Sequence, residues 1–231
     1  MSGPRVLLIE HERATPAGLV VEWLDRHDAV VDVLPIDEGA QPDPIEGYDL
    51  MVSLGSEFSA YDDHLPWLGE ELKLMRAAGA ADVPTLGICF GGQLLARALG
   101  GEVFRAEEAE IGWLEVESSD INLIPSGPWF QWHFDTFSLP PGATQIAVNH
   151  IGPQAFVHGR SLGVQFHPEV GIKIMENWAV VYRHELDEHG VSAEGLLERT
   201  HEVAPAATEV SWKLLEGFYE RVAKLEKGSA G

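Results

Sequence analysis

In Thr85-Leu-Gly-Ile-Cys-Phe-Gly-Gly-Gln-Leu-Leu95 an apolar run of strand length passes through a glycine-flanked cysteine into a helical pattern, which continues to Leu99 and stops at Gly100-Gly101. Gly87-x-Cys89-x-Gly91 at such a strand-to-helix junction has the form of a nucleophile elbow with Cys in place of Ser. Small neighbours permit the tight turn, which lifts the side chain at the helix N-terminus, where the helix dipole favours thiolate over thiol. The backbone N–H of Phe90, directly after the nucleophile, would point at a developing oxyanion. The bland alternative is that Cys89, the lone cysteine, is a small buried hydrophobe.

Outward from this junction the first half of the chain alternates strands and helices. Arg5-Val-Leu-Leu-Ile-Glu10 is a continuous apolar run of the kind buried on both faces. Thr15-Pro16 looks like an N-cap followed by proline at the first helical position, opening a helix through Leu19, Val20, Trp23 and Leu24. Further strands are expected at 29–34, 48–54 and 84–88, with a helix carrying Trp67, Leu68, Leu72, Leu74 and Met75. This βαβ pattern predicts an α/β fold, three layers with a mostly parallel central sheet. Beyond Gly101, short runs at 102–104, 112–117, 145–149, 155–158 and 163–166 suggest antiparallel strands. From Val170 the chain reads as helices, and Val210, Leu214, Phe218 and Val222 form a stripe more typical of core than of an interface, with Trp212 on another face. Lys227-Gly-Ser-Ala-Gly231 is low in complexity. One domain over 1–231, with a helical extension from about 190, is the expected organisation.

Fifteen Lys+Arg against 37 Asp+Glu give a formal charge of −22, which argues against nucleic acid and against an anionic membrane surface. A single cysteine excludes an intramolecular disulfide. With no signal-peptide pattern at Met1–Glu10 and no apolar run of bilayer length, a soluble cytoplasmic chain is expected.

A second informative stretch is Leu162-Gly-Val-Gln-Phe-His-Pro-Glu-Val170. In an extended chain His167 and Glu169 face the same way, and Pro168 disfavours helical geometry at His167. A carboxylate beside an imidazole orients the ring and stabilises its protonated form.

Together, Gly-Ile-Cys-x-Gly-x-Gln-Leu-Leu-Ala and Gly-Val-Gln-Phe-His-Pro-Glu, 78 residues apart, resemble the paired signatures of class I glutamine amidotransferases of the triad type. The wider match is similar to the free-standing branch related to the glutaminase domain of GMP synthase, through Leu54–Asp63, Glu110–Trp113, Gln131–Phe137 and Leu139–Ala143. The resemblance implies a flavodoxin-like fold, with Cys89 as nucleophile, His167 as general base and acid, and Glu169 as its orienter. It also implies Gly55 and Phe90 as oxyanion donors and Gln93 as a substrate contact. Gly55-Ser56-Glu57 departs from the family's Gly-Gly-Pro. If Leu54 sits where the first Gly normally does, that peptide moves less freely. His133 and Asp135 either flank the substrate or satisfy backbone groups.

The implied reaction is thiolate attack on the glutamine side-chain amide, loss of ammonia and hydrolysis of a γ-glutamyl thioester, with no metal or organic cofactor. No Gly-x-x-x-x-Gly-Lys-Ser/Thr loop for ATP is present in the sequence. The ammonia would then pass to a separate synthase. Alternatives are a γ-glutamyl hydrolase or peptidase acting on another γ-glutamyl compound, a non-catalytic glutamine-binding regulatory subunit, or a generic α/β-hydrolase. His184-Glu185-x-x-x-His189 has i, i+5 spacing, unsuited to a helical metal pair, and is expected to be a solvated face, as is Glu107-Glu-Ala-Glu110.

Overall fold

The computed structural model describes residues 3–225. Its central sheet is α/β: strands β1 (Arg5–Glu10), β2 (Val30–Pro35), β3 (Leu50–Ser53), β4 (Thr85–Ile88) and β10 (Ser161–Val164) run parallel in the order β2-β1-β3-β4-β10. The sheet continues antiparallel through β9 (Pro153–His158), β8 (Thr144–Val148) and β6 (Glu117–Ser118). Alternation along β1 explains its unbroken apolar run. Val6 and Leu8 join a core on one face with α1 (Leu19–Arg26) and the last long helix α6 (Ala193–Gly217). Leu7 and Ile9 join a second core on the other face, under α2 (Pro66–Ala80) and α3 (Phe90–Ala98). Both faces of the sheet are therefore covered, and the polar chemistry is left to the strand ends.

Three local expectations need correction. Thr15-Pro16 does not open α1. The helix begins at Leu19 after Gly18, whose φ of 47° and ψ of −124° suit glycine. Leu19 N–H donates to the Glu169 carbonyl at 3.1 Å, and a Cβ on Gly18 would lie 2.2 Å from that same oxygen. The helix start is thus set by close approach to the segment carrying Glu169, which local capping preferences do not encode. Second, 102–104 and 112–117 are not two separate strands, and Glu117 already belongs to β6. A single strand β5 (Val103–Glu115), bulged between Arg105 and Glu110, pairs antiparallel with β7 (Pro128–Phe137) in a ribbon of its own. Third, the 163–166 strand is β10. It pairs parallel with β4 as well as antiparallel with β9, so it ends the parallel set.

One face of the ribbon, through Phe130 and Trp132, packs on α4 (Ile172–Val181), α5 (Arg183–Glu188) and the start of α6, with Met175, Trp178, Tyr182 and Leu186 between them. The C-terminal stripe is core: Leu214, Phe218 and Val222 are buried and Val210 packs against them. Trp212 lies under the Arg26 guanidinium, 3.5 Å from the ring centre. The low-complexity segment 227–231 lies outside the described residues. Among the described residues no helix is long and apolar enough to cross a membrane.

Candidate active site

The parallel register places the two motifs side by side. Ile88 of β4 pairs with Val164 of β10, so Cys89 leaves one strand beside the point where the His167 segment leaves the next. The Cys89 N–H donates to the Val164 carbonyl at 2.9 Å, and the His167 N–H to the Phe130 carbonyl of β7 at 2.8 Å.

Cys89 sits at the N-cap of α3 with φ 50° and ψ −107°, a conformation rare for a residue with a side chain. The flanking glycines permit it. A Cβ on Gly87 would lie 2.4 Å from the Gly91 carbonyl oxygen, and one on Gly91 would lie 2.2 Å from that of Ser53. The helix therefore packs into the end of the sheet with no room for a methyl group. Phe90, as the first helical residue, has an N–H without an intrahelical acceptor.

His167 Nδ1 lies 2.6 Å from Glu169 Oε1, and both side chains are almost fully buried. Nδ1 is committed to the carboxylate, so Nε2 is the nitrogen left for Cys89. Burial alone would lower the imidazole's pKa. The charges of Glu169 and of Cys89 outweigh it and hold His167 well above its ordinary value. The ring also stands edge-on to Trp178, at 5.0 Å. Cys89, His167 and Glu169 thus meet at the carboxyl ends of adjacent parallel strands, and Cys89 and His167 line one open pocket.

The other residues singled out in the sequence gather around that pocket, with their polar atoms largely engaged. Gln93 Nε2 donates to the Asp135 carbonyl at 3.1 Å and to Gln165 Oε1 at 3.2 Å, which leaves Gln165 Nε2 facing Cys89 Sγ at 3.8 Å. His133 is fixed by its own strand, through the Asp135 carbonyl at 2.9 Å, and by Glu110, with Nε2 3.0 Å from Oε2. The Asp135 carboxylate accepts from Ser59 and Tyr61. Gly55 lies at the catalytic edge, where a Cβ would sit 3.1 Å from His167 Cε1. Leu54, at the first loop position, is buried, and its carbonyl accepts from Gly91 N–H at 3.0 Å.

Two stretches expected to be solvated are only partly so. Glu107 and Glu108 are exposed, but Glu110 is buried and accepts from Asn149 and Gln154. Those bonds and His133 keep its carboxyl below the usual range although burial pushes the other way. Glu185 accepts from Trp132 Nε1 at 2.6 Å and lines the pocket, whereas His184 is exposed. Among the described residues no group of three His, Cys, Asp or Glu is placed to hold a metal.

Sequence reasoning missed His11, Glu71, Gln165, Trp178 and Tyr182. Glu71 carried a signal: it stands four residues from both Trp67 and Met75 on the buried stripe of α2, where a carboxylate demands a partner.

The profile of the glutamine amidotransferase class-I family matches residues 20–178 of the chain. The chain belongs to this family. It is 35% identical over 150 residues to the glutamine-hydrolyzing GMP synthase subunit of Thermococcus kodakarensis, covering 61% of this chain and 78% of that protein. It is 40% identical over 109 residues to the glutamine-hydrolyzing GMP synthase of Aeropyrum pernix, 41% of this chain but 21% of that one, so it spans about a fifth of the longer enzyme. A crystal structure of a glutamine amidotransferase from Thermotoga maritima superposes with a TM-score of 0.88 at 33% identity, covering 95% of this chain and all of that one. One from Methylobacillus flagellatus superposes at 0.89 and 26% identity, over all of this chain and 99% of the other. The α/β sheet and its flanking helices are therefore those of the class-I amidotransferase fold.

The titratable groups in and beside this amidotransferase pocket predict how the protein's stability depends on pH. Glu12, which lines the pocket, is pushed up to about 7 by burial and by the nearby Glu57 charge, and His11 and His167 are raised above the ordinary histidine value. All three hold protons more tightly folded than unfolded. Their stabilisation is present below the unfolded pKa and fades as pH climbs through the folded one. Lowered carboxyls such as Glu110 and Asp120 act oppositely, on the acid side. Melting temperature is expected to fall as pH rises from about 6 to about 9. A melting temperature that climbs across that interval in differential scanning calorimetry would contradict these protonation states.

Proposed function

We propose that the chain hydrolyses the side-chain amide of L-glutamine to glutamate and ammonia through a thioester on Cys89, and that the ammonia passes to a separate synthase. One observation carries this reading: a cysteine on a strained helix N-cap beside a buried histidine whose far nitrogen lies 2.6 Å from a buried glutamate. The Cys89 thiolate attacks the γ-carbonyl carbon, and the oxygen takes up the negative charge against the N–H groups of Phe90 and Gly55. The C–N bond breaks as the His167 imidazolium gives its proton to the departing nitrogen, leaving ammonia and a γ-glutamyl thioester. Neutral His167 then takes a proton from water, the hydroxide adds to the thioester, and glutamate leaves as the thiolate and imidazolium are restored. Glu169 holds the ring in the tautomer that both steps need.

The engagement of Gln93, His133 and Asp135 with one another supports a role in shaping the pocket around the substrate. The relatives named as glutamine-hydrolyzing subunits of GMP synthase support a separate synthase as the ammonia acceptor. The packing of Leu214 and Phe218 into the core beneath β1 and β3 supports 1–231 acting as one unit, the segment from about 190 included. A catalytic thiol suits the reducing cytoplasm.

The test is turnover by the purified chain of glutamine beside a γ-glutamyl alkylamide, with and without an ammonia-consuming synthase. Glutamate and ammonia in equal amounts from glutamine are expected. Turnover of the alkylamide alone would make the protein a γ-glutamyl hydrolase. Glutamine binding with no turnover under either condition would make it a regulatory protein without catalysis.

A further inference from the structure

His11 and Glu71 are fully buried, lie outside the triad, and have no part in the glutaminase steps. His11 follows β1, and its ring packs edge-on to Phe90 at 4.6 Å. Its Nε2 lies 2.8 Å from Glu71 Oε2, and the other Glu71 oxygen accepts from Ser53 Oγ at 2.7 Å. Its Nδ1 lies 3.1 Å from the Gly55 carbonyl oxygen. Both ring nitrogens therefore face acceptors. A neutral imidazole has only one N–H, whereas the doubly protonated ring paired with the Glu71 carboxylate donates to both acceptors. A buried charge pair is costly to keep, and here its second arm ends on one backbone carbonyl. That carbonyl belongs to Gly55, the residue at the edge of Cys89 and His167. Thr15 Oγ1 also donates to it, at 3.4 Å.

We propose that the His11–Glu71 pair is a positioning device for the oxyanion loop. It holds the Gly55 carbonyl away from the nucleophile so that the amide groups of the loop stay oriented for the developing oxyanion. The inference rests on the reading of Gly55 as an oxyanion donor. Each peptide adjoining Gly55 is fixed through its carbonyl: the Leu54–Gly55 peptide, which carries the Gly55 N–H, by Leu54 O on Gly91 N–H, and the Gly55–Ser56 peptide, which carries the Ser56 N–H, by Gly55 O on His11, so the clamp holds Gly55 from its other side. In a planar trans peptide, fixing the carbonyl fixes the direction of the N–H opposite to it. A charge-assisted donor makes the second anchor stronger than an ordinary backbone bond. Leu54, buried and carrying a Cβ, acts in the same direction by restricting the backbone.

The test compares the wild-type chain with His11→Phe/Glu71→Met and with Glu71→Gln. The double variant removes both charged partners together, so no buried carboxylate is orphaned and the Ser53 hydroxyl alone loses its acceptor; a cooperative melting transition checks that the fold is retained. Glu71→Gln leaves a neutral His11 that still donates from Nδ1 to Gly55. In the double variant, hydrogen exchange of the 54–59 backbone is expected to speed up about tenfold or more, because the anchoring bond is gone. Glutaminase kcat is expected to fall about 10²-fold with KM nearly unchanged, since the lost orientation matters only in the transition state. Alkylation of Cys89 by iodoacetamide, which needs no oxyanion hole, should keep its wild-type rate. Glu71→Gln should restore kcat to within about fivefold of wild type, as expected when a charged donor becomes a neutral one. Unchanged exchange in the loop would overturn the proposal, as would kcat within twofold of wild type, or joint loss of kcat and of the iodoacetamide reaction. A wild-type chain that releases no glutamate under any condition counts against the proposed function instead, and the exchange measurement then decides the clamp alone.

Discussion

Cys89→Ala should lower glutamate release from glutamine by about 10⁴-fold or more, because removing a nucleophile abolishes the covalent route and leaves only what binding and oxyanion donors supply. The loss should come with little stability penalty, because Glu169 still pairs with His167 when the thiol is gone. Cys89 is buried, and apart from its pairing with His167 its sulfur makes only long contacts, 3.9 Å to the Trp132 carbonyl and 3.8 Å from Gln165 Nε2. Alanine also keeps a Cβ on the strained φ, so the elbow is no more burdened than before. The melting temperature of Cys89→Ala should therefore stay close to that of wild type, while intact-protein mass spectrometry of wild type quenched in turnover shows a γ-glutamyl adduct and the variant shows none. Glu169→Gln should fall less far, by about 10²- to 10⁴-fold, since the thiol remains and only the tautomer and charge of His167 are disturbed. Removing Glu169 and Cys89 together should cost little beyond Cys89→Ala alone, because groups that act as a unit do not add. Cys89→Ala turning over glutamine like wild type would end the thioester mechanism and return Cys89 to the status of a packed hydrophobe.

The elements legible in the sequence are those whose pattern is local. β1, β3 and β4 are short apolar runs closed by turn residues, and the elbow announces itself because Gly87, Cys89 and Gly91 sit at a junction of two periodicities. His167 and Glu169 are readable as a pair because an extended X-Pro segment fixes their relative direction over two residues. What cannot be read is what depends on approach from elsewhere. Gly18 begins α1 because the Glu169 backbone comes within 3.1 Å of Leu19, a contact between segments far apart in the chain. β7 is a different kind of failure, because its signal is present. Phe130, Trp132 and Phe134 alternate with Gln131, His133 and Asp135, a strict period of two, with the aromatic set turned to α4–α6. The polar set is buried too, and these side chains are engaged by Gln154, Glu110, Ser59, Tyr61 and the Asp135 carbonyl, so what looks like a row of substrate contacts is scaffold first. His11 is unremarkable in its own segment, and although Glu71 stands out on the buried stripe of α2, only the fold makes the two a pair.

The second large effect concerns that fold directly. Gly91→Ala should destabilise the chain by about 4 kcal/mol or more, beyond the usual range for overpacking, because the added methyl meets backbone on a packed strand rather than a movable side chain. Its Cβ would lie 2.2 Å from the Ser53 carbonyl oxygen, 2.6 Å from Ser53 Oγ and 2.7 Å from the Ser53 carbonyl carbon. Relief requires α3 to lift from the end of β3 by more than an ångström, about the difference between that approach and van der Waals contact. Lifting α3 would break the Gly91–Leu54 hydrogen bond, draw Cys89 away from His167 and open the core in which Leu94 and Leu95 pack. At about 2–4 °C per kcal/mol for a chain of this size, the melting temperature should drop by roughly 8–16 °C. Gly69→Ala is the matched control. Gly69 lies on the exposed side of α2, and a Cβ there meets nothing within 4 Å. The same substitution should stabilise by about 0.5–1 kcal/mol, through lower backbone entropy in the unfolded chain and better helix propensity. Opposite signs for one chemical change at two helical glycines would locate the constraint in the contact between α3 and β3. A Gly91→Ala protein melting within a few degrees of wild type would mean that α3 can give way there, and that the elbow is held more loosely than its glycines imply.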